Sequence, residues 1–173
     1  LNPGPGFGGS CFKKDILNLV YLCNHYGLYE VSEYWQGIIN INSWQKRRIT
    51  KLIVDKLFGT ISNKKIAILG FAFKANTNDT RESPAISICI ELMNEGAHLN
   101  IFDPKVDKKQ IKAELNSLSK DKESVSSKIN WSYYENIYDA SREVDALVIL
   151  TDAKEFKDIN WFQISENMRA PAW

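Results

Sequence analysis

Lys65-Ile66-Ala67-Ile68-Leu69-Gly70 is a short, unbroken apolar run opened by lysines and closed by glycine. A strand with one wet face would alternate apolar and polar residues. A continuous run instead predicts a strand covered on both faces, as in a parallel sheet flanked by helices. The residues that follow repeat this pattern. Ser83 to Glu95 reads as a helix, with Ser83 as cap, Pro84 in the first turn and Gly96 as the stop. Leu99 to Pro104 reads as a second strand, Tyr133 to Arg142 as a short helix, and Ala146 to Thr151 as a further strand. The stretch from Lys105 to Lys128 is polar and lysine-rich, which predicts a solvated segment with at most a short helix near Gln110 to Leu118. Strands alternating with helices imply an α/β fold with a parallel, doubly wound sheet, whose ligands bind at the carboxyl ends of the strands. Those ends are Gly70-Phe71-Ala72-Phe73-Lys74, Asp103-Pro104 and Thr151-Asp152.

Upstream of residue 59 the pattern is helical. Ile16, Leu17, Leu19, Val20, Leu22 and Cys23 predict a largely buried helix from Asp15 to about Tyr26, ended by Gly27. From about Tyr29 to Phe58 apolar residues recur at helical spacing, with a basic face at Lys46, Arg47, Arg48 and Lys51. A helix of that length spans roughly 40 Å, more than one small domain needs for its own core. It reads either as a linker helix or, with its Trp and Tyr content, as a subunit interface. The chain therefore divides into a helical part, 1–58, and a sheet part, 59–173.

The chemistry points to the start of the chain. Gly4-Pro5-Gly6-Phe7-Gly8-Gly9-Ser10-Cys11 ends where the first helix begins. A helix N-terminus offers unpaired N–H groups and partial positive charge, both of which favour a thiolate, and Lys13 and Lys14 act in the same sense. Cys11 could otherwise be one more small apolar loop residue. Four glycines within six positions argue for backbone that approaches something closely or takes up positive φ. Cys23 and Cys89 lie among apolar residues and read as core, and His25 and His98 fit no metal spacing. Three cysteines without a C-x-x-C pair suit a reducing, cytoplasmic compartment better than a disulfide or zinc framework.

Composition narrows the classes further. With 173 residues and 44% hydrophobic content the chain can bury a real core, while a net charge of +1 gives no electrostatic case for nucleic acid or a membrane surface. No apolar run approaches the roughly 18 residues of a membrane span. No G-x-G-x-x-G follows the Lys65 strand, so the sheet lacks a dinucleotide fingerprint. The loop Lys74 to Ser83 sets two cations and several short polar side chains beside a helix N-terminus, which suits phosphate oxygens and equally suits a capped surface loop.

Taken together, Gly6-Phe7-Gly8-Gly9-Ser10-Cys11-Phe12 with Lys14-Asp15, Gly70-Phe71-Ala72-Phe73-Lys74, Asn78-Asp79-Thr80-Arg81-Glu82-Ser83 and Phe102-Asp103-Pro104-Lys105-Val106 resemble, in order and spacing, the UDP-glucose/GDP-mannose dehydrogenase family of nucleotide-sugar dehydrogenases. Their form is nearer its UDP-glucose branch than the GDP-mannose or UDP-N-acetylmannosamine branches. The resemblance covers essentially the whole chain. It implies a long central helix that carries a homodimer contact, followed by a Rossmann-like UDP-sugar-binding domain that lacks its last strand, with the NAD-binding domain lying outside these residues. It implies NAD as cofactor, UDP-glucose as substrate, and oxidation of the sugar's C6 alcohol to a carboxylate through a thiohemiacetal and a thioester on Cys11. Asp15, one turn after Cys11, would orient or deprotonate the hydrolytic water. Gly6, Phe7, Gly8, Phe73 and Lys74 would contact the sugar nucleotide, and Cys11, Lys14 and Arg81 the cofactor. The chain alone is then expected to be inactive. Two alternatives stay open: a dehydrogenase of another nucleotide sugar, or a non-catalytic UDP-sugar-binding or dimerisation module.

Overall fold

In the computed structural model, residues 4–119 and 130–173 are described. Helix α1, Phe12–His25, and helix α2, Tyr29–Lys56, form a pair joined at Tyr26 to Leu28. The turn closes by a left-handed cap: Gly27 has φ +73 and the Leu28 N–H donates to the Cys23 carbonyl at 2.8 Å. Four parallel strands follow in the spatial order β3-β2-β1-β4, where β1 is Lys65–Leu69, β2 His98–Phe102, β3 Trp131–Tyr133 and β4 Ala146–Ile149. Order reverses between β1 and β4, which places a crevice beyond the carboxyl ends of these two strands.

Helices cover both faces, as the unbroken apolar run at Lys65–Leu69 requires. On one face α2, α3 (Pro84–Asn94) and α4 (Lys108–Ser119) pack Ile53, Leu57, Ile88, Leu92, Ile111 and Leu115 onto Ile66 and Ile68. On the other, α5 (Ile137–Ala140), a 3₁₀ turn at Lys154–Phe156 and α6 (Trp161–Asn167) enclose Leu69 with Ile137, Ala140, Phe156 and Ile164. The α3 signals hold in detail: the Ser83 hydroxyl accepts the Ala85 N–H, Pro84 opens the helix and Gly96, at φ +87, follows it.

Four expectations are corrected. Helix α1 is not largely buried: of its residues only Ile16 is enclosed, while Leu17, Leu19, Tyr21 and Leu22 stand in solvent, because among the described residues its extensive packing is with α2. For the same reason Cys23 is only half-buried, whereas Cys89 is fully buried. The part of Lys105 to Lys128 that is described is not merely solvated. Helix α4 runs longer than expected and its Ile111 and Leu115 belong to the main core, a two-residue stripe too sparse to outweigh the lysines around it. Residues 120–129 of that stretch lie outside the described residues. The helix expected over Tyr133 to Arg142 is only the four residues of α5, capped by Asn136, and Trp131–Tyr133 before it is an edge strand too short to show a period.

Candidate active site

The site is built by pinning one turn. After β1, Gly70 takes φ +89, and a Cβ there would stand 2.5 Å from Thr151 Cβ, so only glycine lets β1 and the end of β4 approach this closely. Asp103, at the end of β2, then takes four backbone donors. Its Oδ2 accepts the N–H groups of Phe71 (2.6 Å) and Ala72 (3.0 Å), and its Oδ1 those of Lys105 (2.7 Å) and Val106 (2.9 Å). The hydroxyl of Thr151 donates to the Ala72 carbonyl and that of Ser83 to the Phe71 carbonyl, both at 2.8 Å. With Phe71 and Ala72 held in the core, Phe73 and Lys74 are carried outward.

What they meet is the glycine loop. The Phe73 ring lies against Gly9, where an added Cβ would stand 3.0 Å from Cε2, and Gly8 sits where a Cβ would come within 2.5 Å of the Glu82 carbonyl oxygen. The Gly9 N–H donates to the Arg81 carbonyl at 2.8 Å. Lys13 bridges both carboxylate oxygens of Glu82, at 3.0 and 2.9 Å. The close approach demanded by Gly8 and Gly9 is thus, in this chain, an approach to its own β1–α3 loop. Glu82 sits at φ +55, a conformation costly for a residue with a Cβ, and the contacts of Lys13 and Gly8 hold it there.

Cys11 occupies the N-cap position of α1 and its thiol is exposed, with Ser10 Oγ at 3.5 Å from Sγ. Asp15 lies one turn on, its N–H donating to the Cys11 carbonyl, and the side chains of Lys14 and Asp15 both face solvent. Lys13, expected to support the thiolate, is committed to Glu82 instead. Arg81 Nε and Nη2 bind the Asp79 carboxylate at 2.9 and 2.7 Å. Those bonds, with one from the Arg81 N–H, hold the Asp79 carboxyl at about 2. The Arg81 guanidinium is raised in turn, chiefly by Asp79.

The crevice does not fit a dinucleotide in the manner of an NAD-binding sheet. There the first turn presents free amides to a pyrophosphate and an acid at the end of the second strand faces the ribose. Here Asp103 consumes the turn's own amides, and Ser83 and Pro84 seal the start of α3 inside the protein. Lys14 is exposed, and the Arg81 guanidinium, though paired with Asp79, is largely exposed as well, so both cations are open to an anionic group.

The Cys11 loop and the β1–α3 loop, separated in the chain by α1, α2 and β1, thus close on one another. Residues 67–173 match the UDP binding domain, and residues 1–44 the central domain, of the UDP-glucose/GDP-mannose dehydrogenase family. The chain belongs to this family. Among its relatives, a UDP-glucose 6-dehydrogenase of Drosophila melanogaster is 47% identical over 175 residues, which covers 100% of this chain and 36% of that protein. One of Caenorhabditis elegans is 48% identical, covering 99% of this chain and 35% of that protein. In three dimensions the chain resembles a UDP-glucose dehydrogenase from Pyrobaculum islandicum (TM-score 0.73, 26% identity, 91% of this chain and 33% of that one). It also resembles a GDP-mannose dehydrogenase from Pseudomonas aeruginosa (TM-score 0.69, 26% identity, 91% and 34%). The chain therefore spans about a third of the length of the family members it matches.

Several residues that shape the site carry no motif. Asp79 and Asp103 were visible only as part of longer patterns, and Asn42, which reaches the glycine loop from α2, was not singled out at all. Its one signal is a polar residue inside the apolar repeat of a long helix, between Ile41 and Ile49.

Proposed function

We propose that this chain is the part of a UDP-glucose 6-dehydrogenase that carries the cysteine nucleophile and the sugar-nucleotide site, acting in the cytoplasm as a homodimer. The single observation that carries the reading is the convergence of Cys11, at the head of α1, with the loop bearing Phe73, Lys74 and Arg81. Residues 1–58 would supply the nucleophile and the central helices, and 59–173 the UDP-sugar-binding domain. Gly6, Phe7, Gly8, Phe73 and Lys74 contact the sugar nucleotide, and Lys14 and Arg81, with Cys11, meet the edge of the cofactor.

Two NAD⁺, bound in turn, would each accept one hydride, the first taking the C6 alcohol to an aldehyde and the second giving a thioester. The chain's own part lies between these oxidations and after them. An aldehyde is a poor hydride donor until a nucleophile adds to it. The Cys11 thiolate forms a C–S bond to C6, and the resulting alkoxide takes up a proton, giving a thiohemiacetal. After the second oxidation water attacks the thioester, the C–S bond breaks, Cys11 leaves as thiolate and the acid is released. Asp15, one turn from Cys11 and open to solvent, orients that water and takes its proton. The dimer reading rests on the exposed Tyr21, Tyr29, Tyr34, Ile41 and Trp44 of α1 and α2. The cytoplasmic reading is supported by three free cysteines.

The test is an exchange. The 173 residues placed in the matching third of the Drosophila relative should sustain NADH formation from UDP-glucose, and Cys11→Ser in that chimera should abolish turnover to the acid. Cys11→Ser at parental turnover ends the covalent reading, and faster NADH formation from GDP-mannose than from UDP-glucose moves the chain to the sister activity. The chain alone should form no NADH.

A further inference from the structure

Helix α2 presents Asn42 to the glycine loop, and its amide is matched to the backbone of one residue, Phe7. The Asn42 Oδ1 accepts the Phe7 N–H at 2.8 Å, while its Nδ2 donates to the Phe7 carbonyl at 3.1 Å, so a single buried side chain holds both polar groups of a residue 35 positions away. Gly6 is fitted to the same amide: with φ +141, any Cβ there would stand 2.7 Å from Asn42 Oδ1. One turn further along α2 the stem of Lys46 lies over Gly6, and Gln45 Nε2 donates to the Gly4 carbonyl at 3.2 Å. The Phe7 ring in turn meets the Phe12 ring edge-on, with centroids 4.7 Å apart and planes at 75°. Phe12 is the first residue of α1 and follows Cys11 directly.

A continuous physical path thus leads from the central helix to the nucleophile. Resting on the reading of Cys11 given above, we infer that Asn42 is a positioning residue for Cys11: it fixes the Phe7 peptide, and the Phe7 ring fixes Phe12 and with it the start of α1. The cysteine then stands at the N-cap position of α1, with its exposed thiol beside the Ser10 hydroxyl. An aliphatic side chain at 42 would leave the Phe7 peptide without either partner. A carboxylate would keep the acceptor for its N–H but set a second acceptor against its carbonyl.

The inference is tested on the 173-residue chain without substrate or cofactor. Two quantities are read together near neutral pH: hydrogen exchange at the Phe7 amide, and the rate of alkylation of Cys11 by iodoacetamide, followed by peptide mass spectrometry. Losing a hydrogen bond of ordinary strength shifts a local equilibrium by about fivefold. Asn42→Ala is therefore expected to speed Phe7 exchange and to slow Cys11 alkylation, each by about that factor. Phe7→Leu, which keeps the backbone clamp and removes the ring, should slow Cys11 equally and leave the amide at position 7 protected. Ser43→Ala, the next residue on α2, whose hydroxyl donates to the Ile39 carbonyl of its own helix, should change neither. A merely structural role would lower the unfolding temperature without singling out Cys11. An unchanged Cys11 rate alongside a deprotected Phe7 amide overturns the inference. If Asn42→Ala fails to fold, which rapid labelling of buried Cys89 reports, Asn42→Asp takes its place, and there too an unaltered Cys11 rate overturns it. This outcome is separate from the catalytic one. Should Cys11 respond as expected here while Cys11→Ser leaves the chimera's turnover intact, the proposed chemistry falls and the positioning role of Asn42 stands.

Discussion

Ile68, in the middle of β1, is wholly buried, and Tyr21, in the middle of α1, is 66% exposed. Both sit in elements rich in apolar residues, yet the core closes around the sheet, drawing in Ile53 and Leu57 of the helical half, and leaves most of α1 outside it. In α2 the usual distribution is even inverted. Its buried residues are Ser32, Asn42, Thr50 and Ile53, three of them polar, while Tyr29, Val31, Tyr34, Ile41, Trp44 and Leu52 are exposed. The buried polar groups are each used within the chain: Ser32 on the Val20 carbonyl, Asn42 on the Phe7 peptide and Thr50 on the Glu91 carboxylate. The lesson is that α2 spends buried polar residues on organising this chain while a row of its large apolar side chains stays exposed, whereas β1 and β2 have both faces covered within the chain.

The contrast breaks most sharply at Gly70. Gly70→Val adds a Cβ 2.9 Å from the Thr151 backbone nitrogen at a φ that only glycine takes easily, so it should destabilise the sheet half by about 4 kcal/mol or more and leave too little native protein for a denaturation midpoint. Next comes a pair of truncations read by urea unfolding. Ile68→Ala should cost about 2–5 kcal/mol, against a change within about 0.5 kcal/mol for Tyr21→Ala in the monomer. A comparable loss at Tyr21 would mean that α1 is covered within the folded chain after all.

Thiols sharpen the same division by their environment. Burial pushes the Cys89 thiol well up, so the folded state keeps its proton after the unfolded chain, near its ordinary range of about 8.5, has released it. The native state then binds more protons than the unfolded one, and stability should fall as pH rises above about 9, an effect that Cys89→Ala removes. Under native conditions Cys11 should react with iodoacetamide first, Cys23 more slowly and Cys89 only on unfolding. The smallest effect belongs to the loop between the halves. Asp79 is depressed to about 2 by Arg81, so its contribution is complete above the ordinary carboxylate value and is lost as pH falls from about 4 towards 2. An NMR titration of the Asp79 carboxyl should follow that course, and Arg81→Ala should return it to near 4.

Much of this was legible before any coordinates. The apolar run at Lys65–Leu69, the Ser83-Pro84 start and Gly96 stop of α3, and the Gly27 end of α1 each follow from local rules, because burial on two faces, a missing N–H or a positive φ restricts which residues can stand there. The cysteine at a helix head was legible for the same reason. The three residues of β3 were not, since an edge strand that short has no period to read, and neither was the depth at which Ile111 and Leu115 lie.

Sequence alone determined the α/β alternation, the long helix and the cysteine at the head of α1, because each is written in neighbouring residues. Tertiary structure decided what those residues meet. It turned Lys13 from a support of the thiol into a partner of Glu82, turned the glycines towards Glu82, Phe73 and Asn42, and enlisted Asp103 to hold a turn 32 positions before it in the chain. It also drew Ile53 of α2 into the core and left Tyr34, Ile41 and Trp44 of the same helix exposed. Hydrogen bonds and close backbone approaches between distant segments depend on where the core brings them, and no local pattern of residue types contains that distance.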